Sequence, residues 1–219
     1  MGTVLGDLLP SAIGVAVSPV PIIAAILMLL GKHARTTSLG FAAGWLVGIV
    51  AAVVVFVFVG GAMNTDDGPS STVSWTKLVL GVLLLALGVR DWRSRSAAAA
   101  EPKWMAAIDE MKVPAGFGIG FLLAAVNPKN LMLCIAAGVT IGSAALSTGE
   151  SIVGVAVFSV IAAISVVGPV IAYQVASTKL AGPLASLKVW LQANNQAVMA
   201  ILFLVLGVSL FGKGLGGLF

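Results

Sequence analysis

Six residues near the middle of the chain, AVNPKN (Ala125 to Asn130), place a lysine, two carboxamides and a proline inside a long apolar stretch. Pro128 removes a backbone donor and clashes with the preceding turn, so a helix must kink or break there. The residues after such a break form the N-terminal end of a half-helix, whose free N–H groups and positive dipole end favour an anion. Lys129 adds a full positive charge, and Asn127 and Asn130 add amide donors and acceptors. A second stretch, AVSPVP (Ala16 to Pro21), sets Ser18, Pro19 and Pro21 in a similar order. The chemistry these groups suit is non-covalent recognition of an anionic or polyhydroxylated group. A charge at the centre of a membrane span costs about 2.5–3.5 kcal/mol on insertion scales, and such residues mark substrate and ion pathways. The candidate substrate-binding residues are therefore Ser18, Pro19, Pro21, Asn127, Pro128, Lys129 and Asn130. The plainer reading, a packing kink, suits Pro19 and Pro21 better than it suits NPKN.

Other chemistry is not indicated. The chain shows no HExxH, no Cys/His cluster, no P-loop and no Ser/His/Asp order, so neither an enzyme nor a metal or other cofactor is expected. Cys134 stands alone, which precludes an intrachain disulfide and a thiol–disulfide relay. The net charge of +4 comes without a basic, aromatic-interleaved cluster, so nucleic acid is not an expected partner. His33 reads as a solvated loop residue, and Asp7 and Lys129 are the only apparent proton carriers.

The elements that must position these groups are membrane helices. Of 219 residues, 59% are hydrophobic and 9% charged, against about 25% charged in soluble domains. Six spans are predicted: about Val4 to Leu30, broken at SPVP; Leu39 to Gly60; Trp75 to Val89; Ala115 to Ile141, broken at NPKN; Ile152 to Val175; and Val198 to Leu215. Pro169 and Gly168 are expected to bend the fifth. Basic residues alternate loop by loop: Lys32 and Arg35, then none, then Arg90 to Lys112, then none, then Lys179 and Lys188. The positive-inside rule makes the first, third and fifth loops cytoplasmic and both termini external; Lys213 weakly opposes this. A signal peptide's basic n-region and cleavage site are not seen, so the first helix is expected to be retained. Two cytoplasmic loops, EPKWMAAIDEM and PLASLKVWLQ, read as amphipathic helices on the bilayer surface, opened by Pro102 and Pro183.

The two proline motifs open two halves of three spans each. Near the ends of the halves, VLGVLLLALG from Val79 matches VLGVSLFGKG from Val205. An odd number of spans inverts the second half, giving an all-α membrane protein of six helices in two inverted three-helix repeats. The predicted division is repeat one over 1–92, an amphipathic linker over 93–113 and repeat two over 114–219. Gly40, Gly44 and Gly48, one turn apart, predict close helix packing, as do Gly138 and Gly142.

SAIGVAVSPVPIIAAILMLL, KWMAAID, AAVNPKNLML and WLQANNQAVMAILFLVLGVSLFGKGLGGL resemble the GAP family of actinobacteria, the glycopeptidolipid-addressing proteins, a group that includes a sulfolipid-addressing protein. The resemblance runs over the whole chain and is most specific at NPKN and ANN. It implies the LysE transporter superfamily, with its inverted three-helix repeats, and a multi-pass plasma-membrane protein that exports cell-envelope glycolipids. The superfamily's thiol–disulfide electron carriers need paired cysteines, which this chain lacks. Three readings stay open: translocation of a membrane lipid or glycolipid, export of a small polar solute such as an amino acid, and a non-transporting accessory role. A homodimer or a lipid-synthesis or export partner is compatible with each.

Overall fold

The computed structural model describes residues 1–65, 68–69, 71–95 and 111–218. These are helical apart from short turns and a two-residue antiparallel pairing of β1 (Asn64–Thr65) with β2 (Gly68–Pro69). The helices are α1 (Gly2–Ala16), α2 (Pro19–Leu30), α3 (Ala34–Ala62), α4 (Ser71–Arg93), α5 (Val113–Ala125) and α6 (Pro128–Gly142). A last run from Thr148 to Leu215 bends at Ala176 (φ −134°, ψ 44°) into α7 (Thr148–Ser177) and α8 (Lys179–Leu215). Four helices, α3, α4, α7 and α8, are each long and apolar enough to cross a membrane. The pairs α1–α2 and α5–α6 bend by 49° and 61° at their breaks, and each pair passes the same test as one broken unit. The protein is thus an all-helical, multi-pass membrane protein with four to six spans.

Both breaks fall where the prolines predict. The residue before a proline is driven out of the α region, and the two residues concerned adopt nearly one conformation: Ser18 at φ −66°, ψ 112° and Asn127 at φ −59°, ψ 120°. The predicted surface helix over EPKWMAAIDEM falls on 101–110, outside the described residues, save for Met111. The one from Pro183 needs correction. It is the first part of α8, which is 37 residues long and so about 55 Å at the helical rise. Leu184 buries against Ile26 and Leu29, and Leu191 against Ile23, so this segment packs on α2. Pro169 lies inside α7, where the backbone stays helical; the non-helical residue in the run is Ala176, one residue past the predicted end of the fifth span at Val175.

Glycine contacts fix how the helices run. A Cβ on Gly40 would stand 2.7 Å from the Val113 carbonyl oxygen, and one on Gly48 2.7 Å from the Ala124 Cβ. Gly44 lies against the Phe117 backbone, and Gly116 answers from α5 against Thr37. Farther along, Gly138 meets Val53 and Phe56, and Gly142 meets Val57. α3 is therefore parallel first to α5 and then to α6, with no room for a larger residue at the contacts. α1–α2 runs antiparallel to α8: Asp7 pairs with Lys213 at 2.7 Å, Gly14 faces Leu206, and Ile23 meets Leu191. α4 is also antiparallel to α8, with Gly81 on Phe211, Gly207 on Leu85, Gly88 on Leu204 and Gly214 on Leu78.

These contacts sort the charges. One end of the bundle gathers Asp7, Lys77, Lys213 and Gly217, which packs on Ser74 at the start of α4. The α6–α7 turn lies at that end too, since Gly142 packs beside Gly61 near the end of α3. The first and last helices therefore begin and finish together. The opposite end carries Lys32, Arg35, Arg90, Arg93, Lys112, Lys179 and Lys188. There Thr37 Oγ1 donates to the Met111 carbonyl at 3.0 Å, and Gln174 Nε2 donates to the Arg35 carbonyl at 3.1 Å.

Candidate functional site

At the second break, α5 ends with the Val126 and Asn127 N–H groups both donating to the Leu122 carbonyl, at 2.9 and 3.0 Å. Asn127 caps the next helix: its Oδ1 accepts from the Lys129 N–H at 3.1 Å, satisfying one of the orphan donors of α6. Pro128 occupies the first helical position, where its missing N–H costs nothing. Asn130 reaches back across the break, Nδ2 donating to the Leu123 carbonyl at 2.9 Å. That carbonyl lies in the last turn of α5 and has no acceptor role left within its own helix. Asn130 thus staples the two half-helices while its Oδ1 stays buried and unpartnered.

Lys129 is the group that packing does not explain. It is 4% exposed and its Nζ has no hydrogen-bond partner. Among the described residues no carboxylate lies within ion-pairing distance of it; the ion pairs there are Arg90–Asp91 and Lys213–Asp7. The ammonium therefore adds to the positive end of the α6 dipole without internal compensation. An unpaired buried ammonium is strongly disfavoured unless a ligand or water completes it.

The first break differs in what it offers. Ser18 is 2% exposed, and Pro19 and Pro21 are also buried. The two prolines remove two N–H groups from the first turn of α2, and the Ile22 N–H reaches the Ser18 carbonyl at 3.4 Å. Where the second motif holds Lys129 and Asn130, the first holds Val20 and Pro21. The first break thus supplies shape and one buried serine, and the polar chemistry resides at the second. Pro128 is exposed and Asn127 only half-buried, so these two stand at the rim rather than inside.

The two breaks share a depth. Gly14 faces Leu133 as well as Leu206. Ser18 follows Gly14 by one turn and Lys129 precedes Leu133 by one turn. Because α1 and α6 are antiparallel, both lie about 6 Å to the same side of that contact. The Gly14–Leu206 and Ile23–Leu191 contacts bracket this level on α8, and between them lie Asn195 and Gln196, whose Oδ1 and Oε1 are buried without partners. They were not among the predicted candidates, although the run QANNQ inside an apolar helix was the available signal.

Beside the first break, α1 and α8 bound an apolar groove of about 470 Å³, lined by Pro10, Ile13, Gly14, Val17, Val205 and Leu206 among others. Ile13, Val17 and Val205 are 51%, 42% and 62% exposed, so the groove opens sideways from the bundle. Gly14 lines it on one side and touches Leu133, one turn from Lys129, on the other. No group of three or more His, Cys, Asp or Glu side chains could hold a metal among the described residues. Cys134 is buried and unpaired.

A buried lysine at a broken helix and an apolar groove nearby thus sit within an all-helical, multi-pass membrane bundle. Residues 8–216 match the family model described as Sap, sulfolipid-1-addressing protein, and the chain belongs to that family. Family and architecture together make it a membrane protein tied to lipid handling. No curated protein and no solved structure matches the chain.

Proposed function

We propose that this protein is a plasma-membrane transporter that moves cell-envelope lipids or glycolipids through a site at mid-membrane depth, without chemical turnover. The observation that carries the reading is Lys129: a buried, unpaired ammonium one turn from the Leu133–Gly14 contact that also walls the lateral groove. An anionic headgroup would complete the ammonium, with Asn130 and Ser18 offering polar contacts and Asn195 and Gln196 adding polar groups on the neighbouring stretch of α8. The apolar tails would remain in or beside the groove. A small polar solute has no need of a lateral apolar opening, and this favours the lipid.

The proposal includes six spans in two inverted halves, within 1–92 and 114–219. Each broken pair advances steadily along an unbroken neighbour, α1–α2 along α8 and α5–α6 along α3, as a kinked span would and a re-entrant loop would not. The matching conformations of Ser18 and Asn127 and the paired glycines of α4 and α8 support the same internal symmetry. With the basic end cytoplasmic, both termini are external.

The test is reconstitution of the full chain in liposomes containing a fluorescent anionic glycolipid and, separately, a labelled amino acid. Lipid crossing that disappears in Lys129→Met supports the proposal. Movement of the amino acid alone would establish the solute exporter, and a folded protein that moves neither would leave an accessory role.

A further inference from the structure

A polar cavity lies away from this site, at the basic end. It has a volume of about 340 Å³ and is lined by Lys32, His33, Arg35, Thr36, Tyr173 and Ser177, with Ala34. Two elements build it: the α2–α3 turn with the first turn of α3, and the last turn of α7 just around the bend at Ala176. Gln174 clamps the two together through its hydrogen bond to the Arg35 carbonyl. That bond uses the Arg35 backbone and not its guanidinium. Among the described residues neither Lys32 nor Arg35 has an acidic partner, and no acidic side chain is among those that line the cavity. Two cationic side chains and the hydroxyls of Thr36, Tyr173 and Ser177 share the lining, with no acidic residue among the described residues that form it.

The surroundings name the kind of anion. Val160, Ile164, Ile171 and Val175 recur at helical spacing along α7 and are 65%, 61%, 58% and 88% exposed. They form an apolar stripe that ends in the turn holding Tyr173 and Ser177. A soluble anion has no use for such a stripe. A phospholipid does, because its phosphate can sit among the cations while an acyl chain follows the stripe into the membrane. Basic pockets between membrane helices on the cytoplasmic side bind anionic headgroups in this way, and arginine suits a phosphate through its planar paired donors.

We propose that this cavity binds the phosphate of an anionic phospholipid in the leaflet at the basic end, as a site separate from Lys129. Bound there, the lipid would tie the α2–α3 turn to the bend between α7 and α8.

The purified full chain in phosphatidylcholine nanodiscs would be titrated with short-chain phosphatidic acid, short-chain phosphatidylcholine and inorganic phosphate, reading the melting temperature and bound mass. Phosphatidic acid should bind and raise the melting temperature, and the two other additions should do neither. The double variant Lys32→Gln/Arg35→Gln should weaken phosphatidic acid binding by about tenfold. Tyr173→Phe, which keeps every charge, should weaken it by about threefold. Lys179→Gln/Lys188→Gln removes as much charge from the same end and should leave binding within about twofold. Lys129→Met should leave it unchanged, so this site and the transport site stand or fall separately. Equal losses in the two double variants would reduce the effect to diffuse surface charge and overturn the proposal. Equal binding of inorganic phosphate would overturn the lipid as ligand.

Discussion

Gly81 packs against the backbone of Phe211, and Gly207 packs against the backbone of Leu85. Within VLGVLLLALG and VLGVSLFGKG the two glycines hold one place, and Leu85 and Phe211 hold another. The contact is thus made twice, once from each helix, and Gly88 on Leu204 with Gly214 on Leu78 repeats the pattern. A two-fold axis between antiparallel helices generates such reciprocity. Under the proposed inverted arrangement it passes through this crossing.

The reciprocity predicts matched damage. Gly81→Leu and Gly207→Leu each force a side chain into a neighbouring backbone, and overpacking of this kind costs about 1–3 kcal/mol or more. Both variants should lower the melting temperature in detergent by similar amounts. Gly212→Leu, at a position with open space around it, should not. Strongly unequal losses at Gly81 and Gly207 would argue that the two contacts are not equivalent.

Topology can be read by cysteine labelling, because the sole native cysteine is buried. Gly149→Cys and Lys112→Cys lie in exposed positions near opposite ends of the bundle. A membrane-impermeant maleimide applied to intact cells should label Gly149→Cys and leave Lys112→Cys unlabelled until the membrane is opened. Labelling of both from outside would break the six-span, both-termini-external arrangement.

Much of this architecture was legible because it depends on residues with few alternatives. A proline inside an apolar run has to disrupt the hydrogen-bond ladder, and both predicted breaks occur. Gly40, Gly44 and Gly48 pack as their spacing implies. The second surface helix was misplaced because Pro183 resembles a helix opener, yet it sits near the start of a longer helix that absorbs it. The bend falls at Ala176, one residue past the predicted end of the fifth span at Val175, but the helix resumes at once and leaves no separate surface segment. At the site, the mid-span charge of Lys129 was plain. The inequality of the two breaks was not, because only the packed structure shows Asn130 bonded across the break and Pro128 at the surface.

The lateral groove gives a test that leaves Lys129 untouched. Ile13 and Val17 are exposed at its mouth, so Ile13→Trp and Val17→Trp fill it from outside without burying new atoms in the core. Both should keep the melting temperature within a few degrees. If tails use the groove, lipid movement in liposomes should fall by about tenfold, since the bulk blocks entry. Full lipid transport with a tryptophan at both positions would remove the groove from the pathway.

Lys129 allows a sharper separation of binding from folding. Its ammonium is buried without a partner, so replacing it with an apolar side chain of similar length removes a desolvated charge and leaves the packing nearly intact. Lys129→Met should therefore fold with an equal or higher melting temperature while losing transport. Lys129→Arg keeps the charge but changes its shape, and should retain part of the activity. Lys129→Glu sets a carboxylate against the incoming anion and should move no lipid at all. A purely structural lysine predicts the reverse for methionine, a lower melting temperature with activity falling in proportion to folded protein. Melting curves and transport measured on the same preparations decide between the two, because only a ligand-binding lysine allows stability to hold or rise while function disappears.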